Sequence, residues 1–123
     1  MDRELEWARG RDCSLSTHNL IASFDGPARA VRCASAIAQH AARLGFRVRC
    51  GLHIGECELT GGTIRGTAVE TARQIALEAG AGEIMVSATV RDLVAGSGIP
   101  FQPKGSLGGS GLQLLAVESD PSY

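Results

Sequence analysis

Two carboxylates two residues apart, Glu56 and Glu58, stand just ahead of a glycine-rich run, Gly61-Gly62-Thr63-Ile64-Arg65-Gly66, and His18, His53, Cys50 and Cys57 lie scattered through the same half of the chain. In a strand, residues two apart project from one face, so Glu56 and Glu58 have the spacing of a general acid/base pair or of two oxygen ligands to a metal. Carboxylates are mostly exposed, and a solvated strand face is the simpler reading. The histidines and cysteines are ligand types for zinc, but no two of them have a spacing diagnostic of a tetrahedral site. GGTIRG places backbone N–H groups and the Arg65 guanidinium ahead of a helical pattern, which is chemistry that can hold an anion. It is neither GxGxxG nor GxxxxGK[ST], so its glycines read first as a turn. The cysteines (Cys13, Cys33, Cys50, Cys57) form no CxxC pair and fit small buried hydrophobes in a reducing compartment. No Ser/His/Asp arrangement stands out.

The elements that must position these groups follow from local pattern. Residues 11–24 hold two short apolar stretches around Ser16, Thr17, His18 and Asn19, the pattern of a β-hairpin. Asp25, Gly26 and Pro27 carry a capping side chain and a first-turn proline. Ala30, Ala34, Ile37, Ala38 and Ala41 then recur at helical spacing until Gly45. From Phe46 the period switches to two: Phe46, Val48, Cys50, Leu52 and Ile54 share one face of a half-buried strand, with Arg47, Arg49 and His53 on the other. A turn near Gly55 returns the chain through Cys57 and Leu59 to the glycines, after which Val69, Ala72, Ala76 and Ala79 predict a second helix ending at Gly80. Residues 83–86 predict a short strand and Ser87 a helix cap, because its hydroxyl can accept from an unpaired backbone N–H. Gly105 to Gly111 (GSLGGSG) reads as a flexible loop. Leu112, Leu114 and Ala116 alternate in a last strand before a polar tail over 118–123. Helices set between strands and hairpins, without regular βα alternation, predict an α+β domain over 1–117 with a largely antiparallel sheet.

Composition bounds the function. With 123 residues, 44% hydrophobic and 20% charged, one packed domain is expected. Twelve Lys+Arg against thirteen Asp+Glu leave a net charge of −1, without the basic excess expected of a nucleic-acid or membrane-surface binder. Neither partner is expected on that ground. No apolar run approaches the roughly 20 residues of a spanning helix, and the first ten residues are too charged for a signal peptide. A cytoplasmic location is the expectation. Only five residues are aromatic, so the core must be built from Ala, Val, Leu and Ile.

Two runs carry a resemblance. FDGPARAVRCASAIAQHAARLGFRVRCGLHIGECEL (24–59) and GTAVETARQIALEAGAGEIMVSATVRDLVAGSGIPF (66–101) resemble the class III nucleotidyl cyclases, the adenylyl and guanylyl cyclase catalytic domains of bacterial type. RELEWARGR (3–11) fits the end of the family's preceding helix more weakly. The resemblance implies a ferredoxin-like, cyclase-type sheet with helices packed on it. It also implies dimers with active sites at the interface, and a lyase reaction from ATP or GTP to the cyclic nucleotide and pyrophosphate. Two metal-binding aspartates come from one protomer; an Asn that orients the ribose and an Arg that stabilises the transition state come from the other. Mg²⁺ or Mn²⁺ polarises the phosphates and activates the 3′-hydroxyl, and the Arg offsets developing charge.

This chain departs from that pattern at every one of those positions. The family's first strand, with the first aspartate, falls ahead of Met1. The turn with the second aspartate aligns onto Thr17, His18, Asn19 and Leu20, so an imidazole stands in for a carboxylate, a poor ligand for Mg²⁺. The Asn/Arg pair aligns with Glu70 and Gln74, and Arg73 is about 100° away around the helix. The base-selecting positions align with Ser14 and Thr63, where adenylyl cyclases carry Lys and Asp. Losing one preorganised donor costs about 10²- to 10³-fold in rate. The expectation is therefore a cyclase-type domain without catalysis and without a cofactor, which acts as a homodimer or as a heterodimer with another cyclase-type domain. Two alternatives stay open. One is a weak Mn²⁺-dependent cyclase using His18 and Glu70. The other is a module in which Gly61, Gly62, Arg65 and Gly66 hold ATP, GTP or another anion without turnover.

Overall fold

The computed structural model describes residues 12–15, 20–23, 26–55, 58–60 and 63–118. In chain order these form β1 (Asp12–Leu15), β2 (Leu20–Ser23), α1 (Pro27–Arg43), β3 (Cys50–Leu52), β4 (Glu58–Thr60), β5 (Thr63–Arg65), α2 (Thr67–Glu78), β6 (Ile84–Ser87), α3 (Ala88–Leu93), β7 (Phe101–Leu107) and β8 (Leu112–Val117). Four strands make the main sheet in the order β3-β6-β8-β7. β3 and β6 run parallel and the other two pairings are antiparallel. The hairpins β1–β2 and β4–β5 are separate two-stranded sheets. No helix among the described residues is long and apolar enough to cross a membrane.

The sheet is covered on both faces, which explains why all four residues of β6 are buried. Successive side chains of a strand point to opposite faces. Met85, Leu114 and Ala116 pack with Ile75 and Ala79 of the α2 side. Val86 and Leu115 pack with Val31 of α1 and Val90 of α3 on the other. α2 is the crossover that joins the parallel pair β3 and β6, and it sits directly on β3. A Cβ at Gly51 would lie 2.2 Å from the Ala72 carbonyl oxygen and 2.4 Å from the Ala76 nitrogen. Glycine is therefore required there by the approach of a helix backbone rather than by a turn.

The hairpin over β1–β2, both long helices and the Ser87 cap follow the sequence pattern. The Ser87 hydroxyl accepts from the Val90 N–H at 3.4 Å, and Gly45 follows α1 with a φ of 86°. α1 takes Gly26 as its N-cap, with Pro27 in the first turn; Asp25 lies outside the described residues. Three expectations are corrected. The strand expected over 46–54 is only Cys50–Leu52, because its neighbour β6 begins at Ile84, opposite Cys50. Phe46 and Ile54 are accordingly 66% and 39% exposed. GSLGGSG is half strand: β7 runs to Leu107 through an irregularity between Pro103 and Gly105, where the bulge absorbs a residue. β8 is buried at Leu114, Leu115 and Ala116 in succession, not on alternate residues, because helices cover both faces.

Candidate functional site

The two small hairpins and the start of α2 form one neighbourhood. β1 and β2 both pack against β5, so the strand carrying Ser14 lies beside the strand carrying Thr63. Ser14 pairs with Ile21 and Thr63 with Thr60. His18, Gly61 and Gly62 fall outside the described residues, as do Glu56 and Cys57. Arg65 ends β5 opposite Glu58, and both are exposed. The chain then turns at Gly66, whose φ of 143° lies in the range that favours glycine. Its carbonyl accepts from the N–H groups of Val69 and Glu70 at 3.1 and 3.2 Å and so opens α2. No side chain caps this helix end, and Glu70 supplies a negative charge in the first turn, where the helix dipole favours one.

Along α2 the inward face is Ala68, Val69, Ile75 and the close-packed Ala72 and Ala76, while Glu70, Arg73 and Gln74 are exposed. Glu70 and Gln74 are four apart and so stand one above the other on that outer face. An Arg73 Nη2 lies 4.0 Å from Glu70 Oε1. Such an exposed pair adds little stability, but it fixes the local chemistry as a carboxylate, a guanidinium and an amide on one helix surface. That surface can hydrogen-bond a polar ligand or partner. Its carboxylate already has a cation beside it.

At the carboxyl end of β3, His53 Nδ1 and Ser87 Oγ share a hydrogen bond of 2.8 Å. Burial lowers the His53 pKa from its ordinary value, so the ring stays neutral more readily than in water. Ser87 is fully buried and also caps α3. The pair therefore ties β3 to the start of α3 and is no nucleophile open to substrate. Cys50, on the same strand, has its thiol pushed up to about 11, chiefly by burial and then by the neighbouring Cys33 thiol. His18 and Cys57, the other two residues considered for a mixed Cys/His zinc site, lie outside the described residues. Among the described residues no group of three His, Cys, Asp or Glu side chains converges to hold a metal.

Three features escaped sequence reasoning: the seat of α2 on Gly51, the His53–Ser87 link and the placing of Arg73 beside Glu70. A glycine inside an alternating strand was the one available signal for the first. The others depend on contacts between distant segments.

No protein-family model and no curated protein sequence matches the chain. Solved structures do. An adenylate/guanylate cyclase/hydrolase from Silicibacter pomeroyi superimposes with a TM-score of 0.83 at 24% identity, over 97% of this chain and 78% of that one. The catalytic core of a rhodopsin-guanylyl cyclase with converted specificity, in complex with ATPαS, gives 0.82 at 20% identity, over 96% and 75%. A non-canonical dimeric guanylyl cyclase domain from the aquatic fungus Blastocladiella emersonii gives 0.77 at 17% identity, over 94% and 75%.

Proposed function

We propose that this chain, which has the fold of the class III adenylate and guanylate cyclase catalytic domains, is a non-catalytic member of that family that acts by pairing with a second cyclase-type domain. One observation carries the reading. The outer face of α2, where the resemblance requires an Asn for the ribose and an Arg for the transition state, presents Glu70 and Gln74 instead. A carboxylate beside a triphosphate adds negative charge where the reaction needs it removed, and a neutral amide cannot replace a guanidinium against developing phosphate charge. Arg73 does not restore the cation. Its guanidinium lies beside Glu70, one residue out of phase with the required position.

The donors for a divalent cation do not fit either. The resemblance puts the imidazole of His18 where the family has a metal-binding carboxylate, whereas Mg²⁺ takes hard oxygen ligands. The Blastocladiella guanylyl cyclase domain forms a dimer, a non-canonical one, and a double mutant of it is monomeric; this supports pairing as open to the fold.

Complementation tests this reading. The chain is mixed with an adenylyl cyclase domain that keeps its metal aspartates but is inactive because its own Asn and Arg are replaced, and cyclic AMP is measured with ATP. The native chain gives no product, and the variant Ser14→Lys/Thr63→Asp/Glu70→Asn/Gln74→Arg restores it. Product from the native chain would refute the assignment of Glu70 and Gln74 as disabling. No product from the fourfold variant, despite a dimer by light scattering, would refute the alignment itself.

A further inference from the structure

The near-neutral total charge hides a strong segregation. Residues 26–55 contain Arg29, Arg32, Arg43, Arg47 and Arg49, with His40 and His53, and no aspartate or glutamate; all thirteen acidic residues lie elsewhere. Arg29, Arg32, His40 and Arg43 are all exposed on α1. At about 100° per residue they fall within roughly 80° of one another, a stripe about 20 Å long on the side away from buried Val31. The stripe ends where the helix does. Leu44 and Gly45 form a turn, and Leu44 and Phe46 stand there 63% and 66% exposed. Arg43, Arg47 and Arg49 flank them and are exposed too. Among the described residues no carboxylate pairs with any of these five arginines.

We propose that the arginine stripe of α1 and the Leu44–Phe46 turn form a docking surface for an anionic lipid bilayer. The charge complementarity is that of an extended surface: Arg29 and Arg32 at one end of the helix, Arg43, Arg47 and Arg49 at and beyond the other, with two large apolar side chains among the latter. At a bilayer interface, Leu44 and Phe46 enter the acyl boundary while the arginines keep their heads among phosphates and carboxylates. A single-stranded nucleic acid can stack on Phe46 but gives Leu44 nothing to bury against. This surface is remote in chain position from Glu70 and Gln74, so it does not rest on the function proposed above. It departs from the expectation drawn from net charge alone, because attraction to lipid depends on the local face, within a Debye length of about 8 Å at physiological salt.

The test is co-sedimentation of the whole chain with phosphatidylcholine vesicles made with and without phosphatidylserine. Binding should require phosphatidylserine and weaken as salt rises. Each basic residue near such a surface contributes about a fivefold gain, so Arg43→Gln/Arg47→Gln/Arg49→Gln should lose about two orders of magnitude. Leu44→Ser/Phe46→Ser should lose at least about tenfold by removing buried apolar area. All five side chains are exposed, so both variants should melt within a few degrees of the native chain. Leu77→Ser on α2, also exposed, should bind as the native chain does. The inference is overturned if the native chain ignores phosphatidylserine, or if binding survives both multiple variants. It is overturned as well if a single-stranded oligonucleotide or polyglutamate is bound more tightly than the vesicles at the same salt.

Discussion

Replacing Gly51 with alanine tests how α2, the helix that carries Glu70 and Gln74, is held against the sheet. The added Cβ would stand 2.2 Å from the Ala72 carbonyl oxygen, 2.4 Å from the Ala76 nitrogen and 2.9 Å from the Ala76 Cα. Comfortable separations are about 3.5–4.0 Å. All three neighbours are backbone atoms, so no rotamer change relieves the overlap, and the helix must lift by about 1 Å or more. Lifting it loosens Ile75, which is wholly buried against Met85, Leu114 and Ala116. Overpacking a core costs about 1–3 kcal/mol. A rigid backbone clash with a core residue above it belongs at the upper end, near 3 kcal/mol. For a domain of this size that is a fall in Tm of about 12 °C. Gly109→Ala is the control, since nothing lies within 4 Å of its Cβ position, and it should change stability by less than about 0.5 kcal/mol. Urea unfolding followed by circular dichroism measures both variants. A Gly51→Ala midpoint equal to the native one would refute the claim that α2 rests on the β3 backbone.

Ser87→Ala removes the oxygen that accepts from Val90 and bonds His53. A cap is worth about 1 kcal/mol and a second side-chain bond about as much, so urea unfolding should show a loss near 2 kcal/mol; one below about 0.5 would contradict the role. Burial lowers the His53 pKa, so the unfolded chain binds that proton more readily than the folded one. Stability is then fullest above the ordinary histidine value of about 6.5 and declines as pH falls from there towards the lowered value. His53→Asn should flatten that slope in urea midpoints taken between about pH 8 and about pH 5.5, and an unchanged slope would exclude His53 as its source. With its thiol pushed up to about 11, Cys50 should react with iodoacetamide at neutral pH about 100-fold more slowly than a peptide cysteine and at an ordinary rate in urea. Peptide mass spectrometry reads the difference, and fast labelling in the native state would contradict the burial.

The two long helices were legible because a helix that buries one face leaves a periodic record, as Val69, Ala72, Ala76 and Ala79 do. β7 was not. Residues 102–106 are exposed and the strand pairs only with β8, so Pro103 and Gly105 carry no apolar pattern and their composition is that of a loop. The strand over 46–54 failed differently: its alternation is real, but a ladder needs a neighbour, and β6 supplies one only from Ile84 onward. The site was legible as positions and not as geometry. The resemblance aligned Glu70 and Gln74, and helical spacing placed them on one face. The nearness of Ser14's strand to Thr63's, the approach of α2 to Gly51 and the His53–Ser87 bond join segments far apart in sequence, where local pattern carries no information. Net charge is limited in the same way, since a sum over the chain discards where the charges sit.

We propose a cyclase fold that persists here without the groups that make cyclic nucleotide. The most direct measurement is cyclic AMP and cyclic GMP formation by the purified chain, with ATP or GTP and with Mg²⁺ or Mn²⁺, beside an active cyclase domain. With several charge-stabilising groups replaced together, each worth about 10²- to 10³-fold, no product is expected above a heat-killed control under any of the four conditions. Product that rises with protein concentration and disappears in Glu70→Ala or His18→Ala would contradict it, and would make one of those residues part of a working site.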